Sequence, residues 1–248
     1  MPSTRDISPH GQALLRAFRE AAMTGEEEDI FRLIDALAQD EVIPLYDLTA
    51  FSVLHFPAVR LGVAQNRRTP PPVLRWLWEN GSHTVKSMTV ANPTCPSWVL
   101  NRAWAAELAW AKENPNLLNT CEEFVSRPDD VTEQQWREAD DHVLTRFGLA
   151  DNPSSHRPDL TRLARLEQDV RVLSALAANV SSPPLALKAV IKKARAGGHP
   201  EVRVGVAQNP SAPPDVLTLL AKDEDLPVRV AVSWHPSTPE DIRSSIDC

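Results

Sequence analysis

Cysteine is scarce in this 248-residue chain. The 3 cysteines, Cys95, Cys121 and Cys248, are odd in number and show no C-x-x-C spacing. That pattern speaks against a disulfide framework and a thiolate metal site, and points to a reducing compartment, the cytoplasm. Long apolar runs are also missing. No stretch of 18 apolar residues exists, and the N-terminal MPSTRDISPHGQALL has no signal-peptide pattern, so no membrane-spanning segment is expected. Aromatic residues make up only 6%. There is neither a Gly-rich phosphate loop nor a nucleophile elbow. His10, His55, His83, His156 and His199 are scattered without metal-ligand spacing. Asp140, Asp141 and His142 look like a fragment of a site, but they sit on an expected acidic helix with no convergent partner. No catalytic residue, metal or cofactor is expected.

Proline, by contrast, is abundant, with 22 residues against 8 glycines. In a chain that is 42% hydrophobic these prolines read as punctuation of a repeated pattern, not as disorder. The repeat is visible directly. Val59-Arg60-Leu61-Gly62-Val63-Ala64-Gln65-Asn66 returns as Val202-Arg203-Val204-Gly205-Val206-Ala207-Gln208-Asn209. Weaker copies end at Asn92, Asn152 and Asn179, and at His235, which takes the asparagine's place in the last copy. These six anchors are spaced by 26, 60, 27, 30 and 26 residues. The gap of 60 has room for two repeats, and Asn114-Pro115 inside it reads as a degenerate anchor.

Each copy has three parts. A short apolar segment leads to the anchor, with a mostly small residue four places before it (Gly62, Met88, Gly148, Ala175, Gly205, Ala231), which predicts close approach of a neighbouring backbone. A turn follows, marked by Pro93, Pro153, Pro210 and Pro236. A second helix then begins, and Thr69-Pro70, Ser182-Pro183 and Thr238-Pro239 predict a capping hydroxyl just before a proline at the first helical position. Leu74, Leu100, Leu160, Leu187 and Leu217 lie eight past the anchor, and Leu77, Ala103, Leu163, Val190 and Leu220 three further on. That spacing makes one apolar helix face, which no single unit can bury alone, so repeats must stack.

The expected fold is all-α: a right-handed α-solenoid of stacked helical repeats. Residues 1–50 form an N-terminal helical cap, 51–112 and 146–248 hold repeats, and 113–145 is a degenerate acidic interruption with a helix. Two amphipathic helices are predicted at 8–22 and 26–38, with Thr24 and Glu27 as a capping box for the second. A third is predicted at 131–147, with Thr132 and Gln135 as its capping box and Trp136, Val143 and Phe147 inward.

Net charge is −7, unevenly spread: residues 1–50 carry 4 basic and 10 acidic side chains, 51–112 carry 7 and 2, and 113–141 carry 2 and 9. Within this pattern Arg60, Lys86, Arg146, Arg203 and Arg229 all lie six before an anchor, and only Leu173 breaks the row. Such a row could grip an acidic peptide or a phosphate backbone. The plainer account is that each pairs with acids in the preceding inter-repeat loop, such as Glu201 or Asp223-Glu224-Asp225, and bonds carbonyls at the previous helix end. Trp76, Trp78, Trp98, Trp104 and Trp110 cluster in the basic stretch. Trp78 and Trp104 fall on the core face, whereas Trp76 and Trp110 fall off it, as an interaction hot spot requires. Trp234 is expected to be exposed. Lys188, Lys192 and Arg195 read as a solvated helix face.

The pattern V-R-x-x-V-A-x-N-P-S/T-x-P-P-x-x-L resembles the leucine-rich repeat variant family of bacterial proteins, closely at 202–220 and 59–77 and more weakly at 85–103, 145–163, 170–190 and 228–246. The resemblance implies a superhelix of alternating α- and 3₁₀-helices. Some members hold an iron–sulfur cluster in a cysteine-rich segment ahead of the repeats. This chain has no cysteine before Cys95, so no cluster is expected. The function these features favour is a non-catalytic repeat scaffold that binds a protein or peptide on its solenoid surface. The alternative is a nucleic-acid-binding helical-repeat protein that uses the arginine row and exposed tryptophan, against which the acidic net charge weighs.

Overall fold

Five anchor residues share one backbone geometry. Asn66, Asn92, Asn179, Asn209 and His235 all close an α-helix with extended dihedrals, φ between −72 and −63° and ψ between 117 and 130°. A following proline disfavours the helical region and explains this at Asn92, Asn209 and His235. Asn66 precedes Arg67 and Asn179 precedes Val180, yet both adopt the same turn, so something besides proline fixes it.

That something is a ladder of side-chain amides, seen in the computed structural model, which describes residues 7–115 and 133–246. The Asn92 amide donates to the carbonyls of Ala64 and Asn66 (2.7 and 3.0 Å). The Asn179 amide does the same to Ala150 and Asn152 (2.6 and 3.0 Å), and that of Asn209 to Ala177 and Asn179 (2.7 and 3.0 Å). Each asparagine thus bonds two carbonyls at the end of the preceding repeat's helix, one of them the previous anchor's own, which also accepts a turn N–H. Its own Oδ1 accepts the N–H two residues on, from Thr94, Ser181 or Ser211, which closes an Asx turn. His235 copies the arrangement: Nε2 lies 2.9 Å from the Asn209 carbonyl and Nδ1 accepts from the Ser237 N–H at 3.1 Å. A carbonyl only accepts and an amide N–H only donates, so these partners assign a neutral ring with its proton on Nε2.

Fifteen α-helices and no strand occur among the described residues. The chain divides into two compact units, Met1–Ala103 and Trp104–Cys248. The first holds α1 (Pro9–Thr24), α2 (Glu27–Ala38), α3 (Leu45–Ser52), α4 (Pro57–Gln65), α5 (Pro71–Asn80), α6 (His83–Ala91) and the start of α7 (Ser97–Glu113). Here α2, α4 and α6 pack in succession. Asn66 extends the ladder to the Leu37 and Asp40 carbonyls at the end of α2 (2.8 and 2.9 Å), so the N-terminal helices stand in for a preceding repeat. The second unit holds the rest of α7, then α8 (Glu133–Asp151), α9 (Arg157–Leu166), α10 (Val170–Ala178), α11 (Pro184–Ala196), α12 (Pro200–Gln208), α13 (Pro214–Leu220), α14 (Leu226–Trp234) and α15 (Glu240–Ser244). In it α8, α10, α12 and α14 pack in succession, as do α9, α11 and α13. The two leucine rows form the core between these layers: Leu74, Leu77, Leu160, Leu163, Leu187, Val190, Leu217 and Leu220 are all 0% exposed. Each such burial stabilises the fold by about 1.5–3 kcal/mol.

Several expectations are corrected. The helix before each described anchor is α, not 3₁₀; i→i+3 bonding appears at helix ends and in the turns, as in Asn66 N–H to Val63 O and Thr69 N–H to Asn66 O. The turn is closed by the anchor side chain, which leaves the helix free to complete its α-type bonds. Thr69, Ser182 and Thr238 do not cap the helices that follow them. Proline itself takes the N-cap place at Pro70, Pro183 and Pro239, and the hydroxyls turn back to the Val63, Leu176 and Val232 carbonyls at 2.5–2.7 Å. Thr24 likewise ends α1, donating to the Ala21 carbonyl beside Gly25 in the left-handed region (φ 74°), while Glu26 precedes α2 without a side-chain cap. Gly62 and Gly205 face side chains, not a neighbouring backbone: a Cβ on Gly62 would meet Leu37 at 2.8 Å and one on Gly205 would meet the Ala177 Cβ at 3.4 Å. Asn114 bonds its own helix at the Trp110 carbonyl instead of joining the ladder. Thr132 and the side chains of Gln135 and Trp136 lie outside the described residues.

Candidate interaction surface

The basic row separates into members that are spent inside the fold and members that are not. Arg203 is 1% exposed. Its guanidinium forms a paired contact with Asp223 at 3.0 Å, bonds Asp225 and donates to the Ala194 carbonyl. Arg146 is 0% exposed, bonds Glu167 through Nε at 2.7 Å and lies 5.2 Å from the Trp110 ring centroid. Arg229 donates to the Asp223 and Glu224 carbonyls. These three therefore take the structural part of the two readings, and Arg146 and Arg203 are not accessible to a partner. Arg203 pairs with the loop that follows it, and Glu201 pairs with His199 instead.

The acids that hold the buried arginines occupy a register of their own. Glu167 lies 15 past Asn152 and Asp223 lies 14 past Asn209. Where the row has Leu173 in place of a cation, the same places hold Lys193 and Ala194. Cation and acid therefore occur together in three repeats, as Lys86 with Glu107, Arg146 with Glu167 and Arg203 with Asp223, and are absent together in a fourth; the last two pairs form ion pairs, whereas Glu107 bonds His142. This column of acids was readable in the sequence once the repeats were aligned, and it identifies Glu167 and Asp223 as the residues the row depends on. Burial by itself raises the Asp223 carboxyl, but hydrogen bonds from Arg203, the Asp225 N–H and Arg195 outweigh it and hold the group below the ordinary carboxylate range.

Arg60 departs from this rule. The equivalent acid places hold Asn80 and Gly81, and among the described residues no acid lies within ion-pair distance of Arg60. Its guanidinium sits instead over the Trp76 ring, 5.1 Å from the centroid, and its buried Nε has no hydrogen-bond partner. Trp76 is half-buried and packs on the core of the first unit, so it is not the fully exposed side chain expected from its register. Two further cations stack on indoles in the same unit: Arg75 over Trp98 at 5.4 Å and Lys86 over Trp78 at 6.0 Å. Trp98 is 40% exposed.

The remaining candidates resolve differently. Trp104 is buried, as expected, and Trp234 is 82% exposed. Trp110 is half-buried and stacks on His142 with ring centroids 4.2 Å apart. His142 does have a convergent partner, since its Nδ1 lies 3.0 Å from both Glu107 oxygens; the two residues are 35 apart in sequence, beyond any local pattern. Lys188 and Arg195 are paired, with Asp215 at 2.5 Å and Asp223 at 3.1 Å, while Lys192 is exposed. Burial pushes the Cys95 thiol up to about 12, which makes it a poor nucleophile. Among the described residues no group of three or more His, Cys, Asp or Glu side chains could hold a metal ion, and no helix is long and apolar enough to cross a membrane.

A fold of short helix pairs, tied by a ladder of anchor side chains and faced with stacked Trp–cation pairs, defines an all-helical repeat protein. Residues 200–225, the repeat that contains Arg203 and Asn209, match the family described as leucine rich repeat variant. No curated protein and no solved structure is detectably similar to the chain.

Proposed function

We propose that this chain is a non-catalytic cytoplasmic repeat scaffold whose surface binds a protein or peptide partner, with an acidic group of that partner completing Arg60. One observation carries the reading. In two repeats the same arginine is neutralised by an internal acid, whereas Arg60 keeps its place in the row, lacks the acid and rests on Trp76. A stacking contact contributes about 0.5–2 kcal/mol but offers no acceptor to the guanidinium donors. A carboxylate from outside would form the charge-assisted bonds that Arg203 makes to Asp223. The half-buried Trp76 beside it is the kind of residue that dominates protein interfaces. A continuous basic row for a phosphate backbone is less well supported, because Arg146 and Arg203 are turned inward.

The test is affinity capture from native lysate, with and without nuclease, comparing the wild-type chain with Arg60→Ala and Trp76→Ala. A stoichiometric protein retained after nuclease treatment by the wild type and lost by both variants is the expected result. Recovery of nucleic acid that disappears with nuclease, or retention unchanged in both variants, contradicts the reading.

A further inference from the structure

In the second unit, α9 packs on α11 and α11 on α13, and the end of α7 lies across from α9. A groove of about 450 Å³ opens between them, within the size range of natural binding clefts (about 300–1,000 Å³). It falls where the anchors are 60 residues apart, in place of the usual 26–30. The floor is apolar. Ala105, Leu108 and Ala109 of α7 follow i, i+3, i+4 spacing and face Leu166 of α9. Ala105 and Ala109 are exposed and Leu108 and Leu166 half-buried. The rim is cationic, formed by Lys112, Arg162 and Arg165. Arg162 is paired with Asp159 at 3.0 Å. Lys112 and Arg165 are exposed, and among the described residues no acid lies within ion-pair distance of either. Basic residues in the last turn of a helix suit its dipole, but the dipole does not call for an exposed apolar stripe beside them.

We infer that this groove is a docking site for an acidic amphipathic helix of a partner protein. Small residues at Ala105 and Ala109 let a third helix approach closely, with its apolar residues on Leu108 and Leu166. Carboxylates on its flank would meet Lys112 and Arg165. This occupant is favoured by charge complementarity, and by the direct helix-on-helix packing that the same layer uses elsewhere. The site is separate from Arg60, so either proposal can fail without the other.

The probe is a labelled amphipathic peptide of about four helical turns, with Leu and Ala on one face and Glu on the other, tested beside a version with Lys for every Glu. The full chain is expected to bind the acidic probe and not the basic one. A Lys112→Glu, Arg165→Glu double variant should bind the acidic probe about tenfold or more weakly and gain affinity for the basic one. Ala109→Trp should block the acidic probe. Arg60→Ala should leave acidic-probe binding unchanged. The inference is overturned if the acidic probe does not bind, or if the charge reversal leaves its affinity unchanged. It is also overturned if decanoate or a single-stranded oligonucleotide displaces the probe at equal concentration, or if Ala109→Trp abolishes a self-association of the chain.

Discussion

An anchor asparagine must donate two hydrogen bonds and accept one from the same planar group, and few side chains can do that. Asparagine manages both in a single plane, which is why the anchors are 0–5% exposed polar residues in an otherwise apolar interior. The anchors were legible in the sequence because the requirement is local and recurs. The hydroxyls at Thr69, Ser182 and Thr238 were misread for the same local reason. Ser/Thr before Pro commonly marks a helix start, and only the turn geometry shows the hydroxyl facing back. Asn209→Ala leaves the Ala177 carbonyl and the Ser211 N–H without their partner and removes one of the two bonds to the Asn179 carbonyl, so urea unfolding should show a loss of about 2–4 kcal/mol. His235→Asn, which restores the amide, should fall within about 1 kcal/mol of wild type. Equal losses in the two variants would show that the ladder bonds are not what holds the turns.

At the level of helices, the leucine rows announced themselves by period and were buried as that period required. The ion pairs did not, because each joins residues 20 or 21 apart, and a register that long is visible only after the repeats are superimposed. The Arg203–Asp223 pair has a pH consequence. The Asp223 carboxyl is held below its unfolded value of about 3.9 in the native state. Its contribution is therefore complete above that value and is lost as pH falls through the lower native one. Thermal unfolding followed from pH 6 to pH 2 should show the wild type losing stability over the acid range, with Asp223→Asn losing less. An unchanged acid slope in Asp223→Asn would place the acid sensitivity elsewhere.

For the whole molecule, the repeat character was legible, but the interruption was not. Asn114 has the sequence of an anchor without the position of one, because it bonds within its own helix. The division between units falls inside α7, at Ala103 and Trp104, where composition gives no linker signal. One row of arginines holds the fold at Arg203 and, in the function proposed here, faces a partner at Arg60. The most direct measurement is equilibrium urea unfolding of Arg203→Ala and Arg60→Ala, read separately for each variant against wild type. Arg203→Ala leaves the buried Asp223 carboxylate with only the half-exposed Arg195 and the Asp225 N–H as partners and should lose about 3 kcal/mol or more. Arg60→Ala gives up a stacking contact and should lose no more than about 2 kcal/mol. Comparable losses in the two would mean that Arg60 is as structural as Arg203, and would remove the reason for assigning it to a partner.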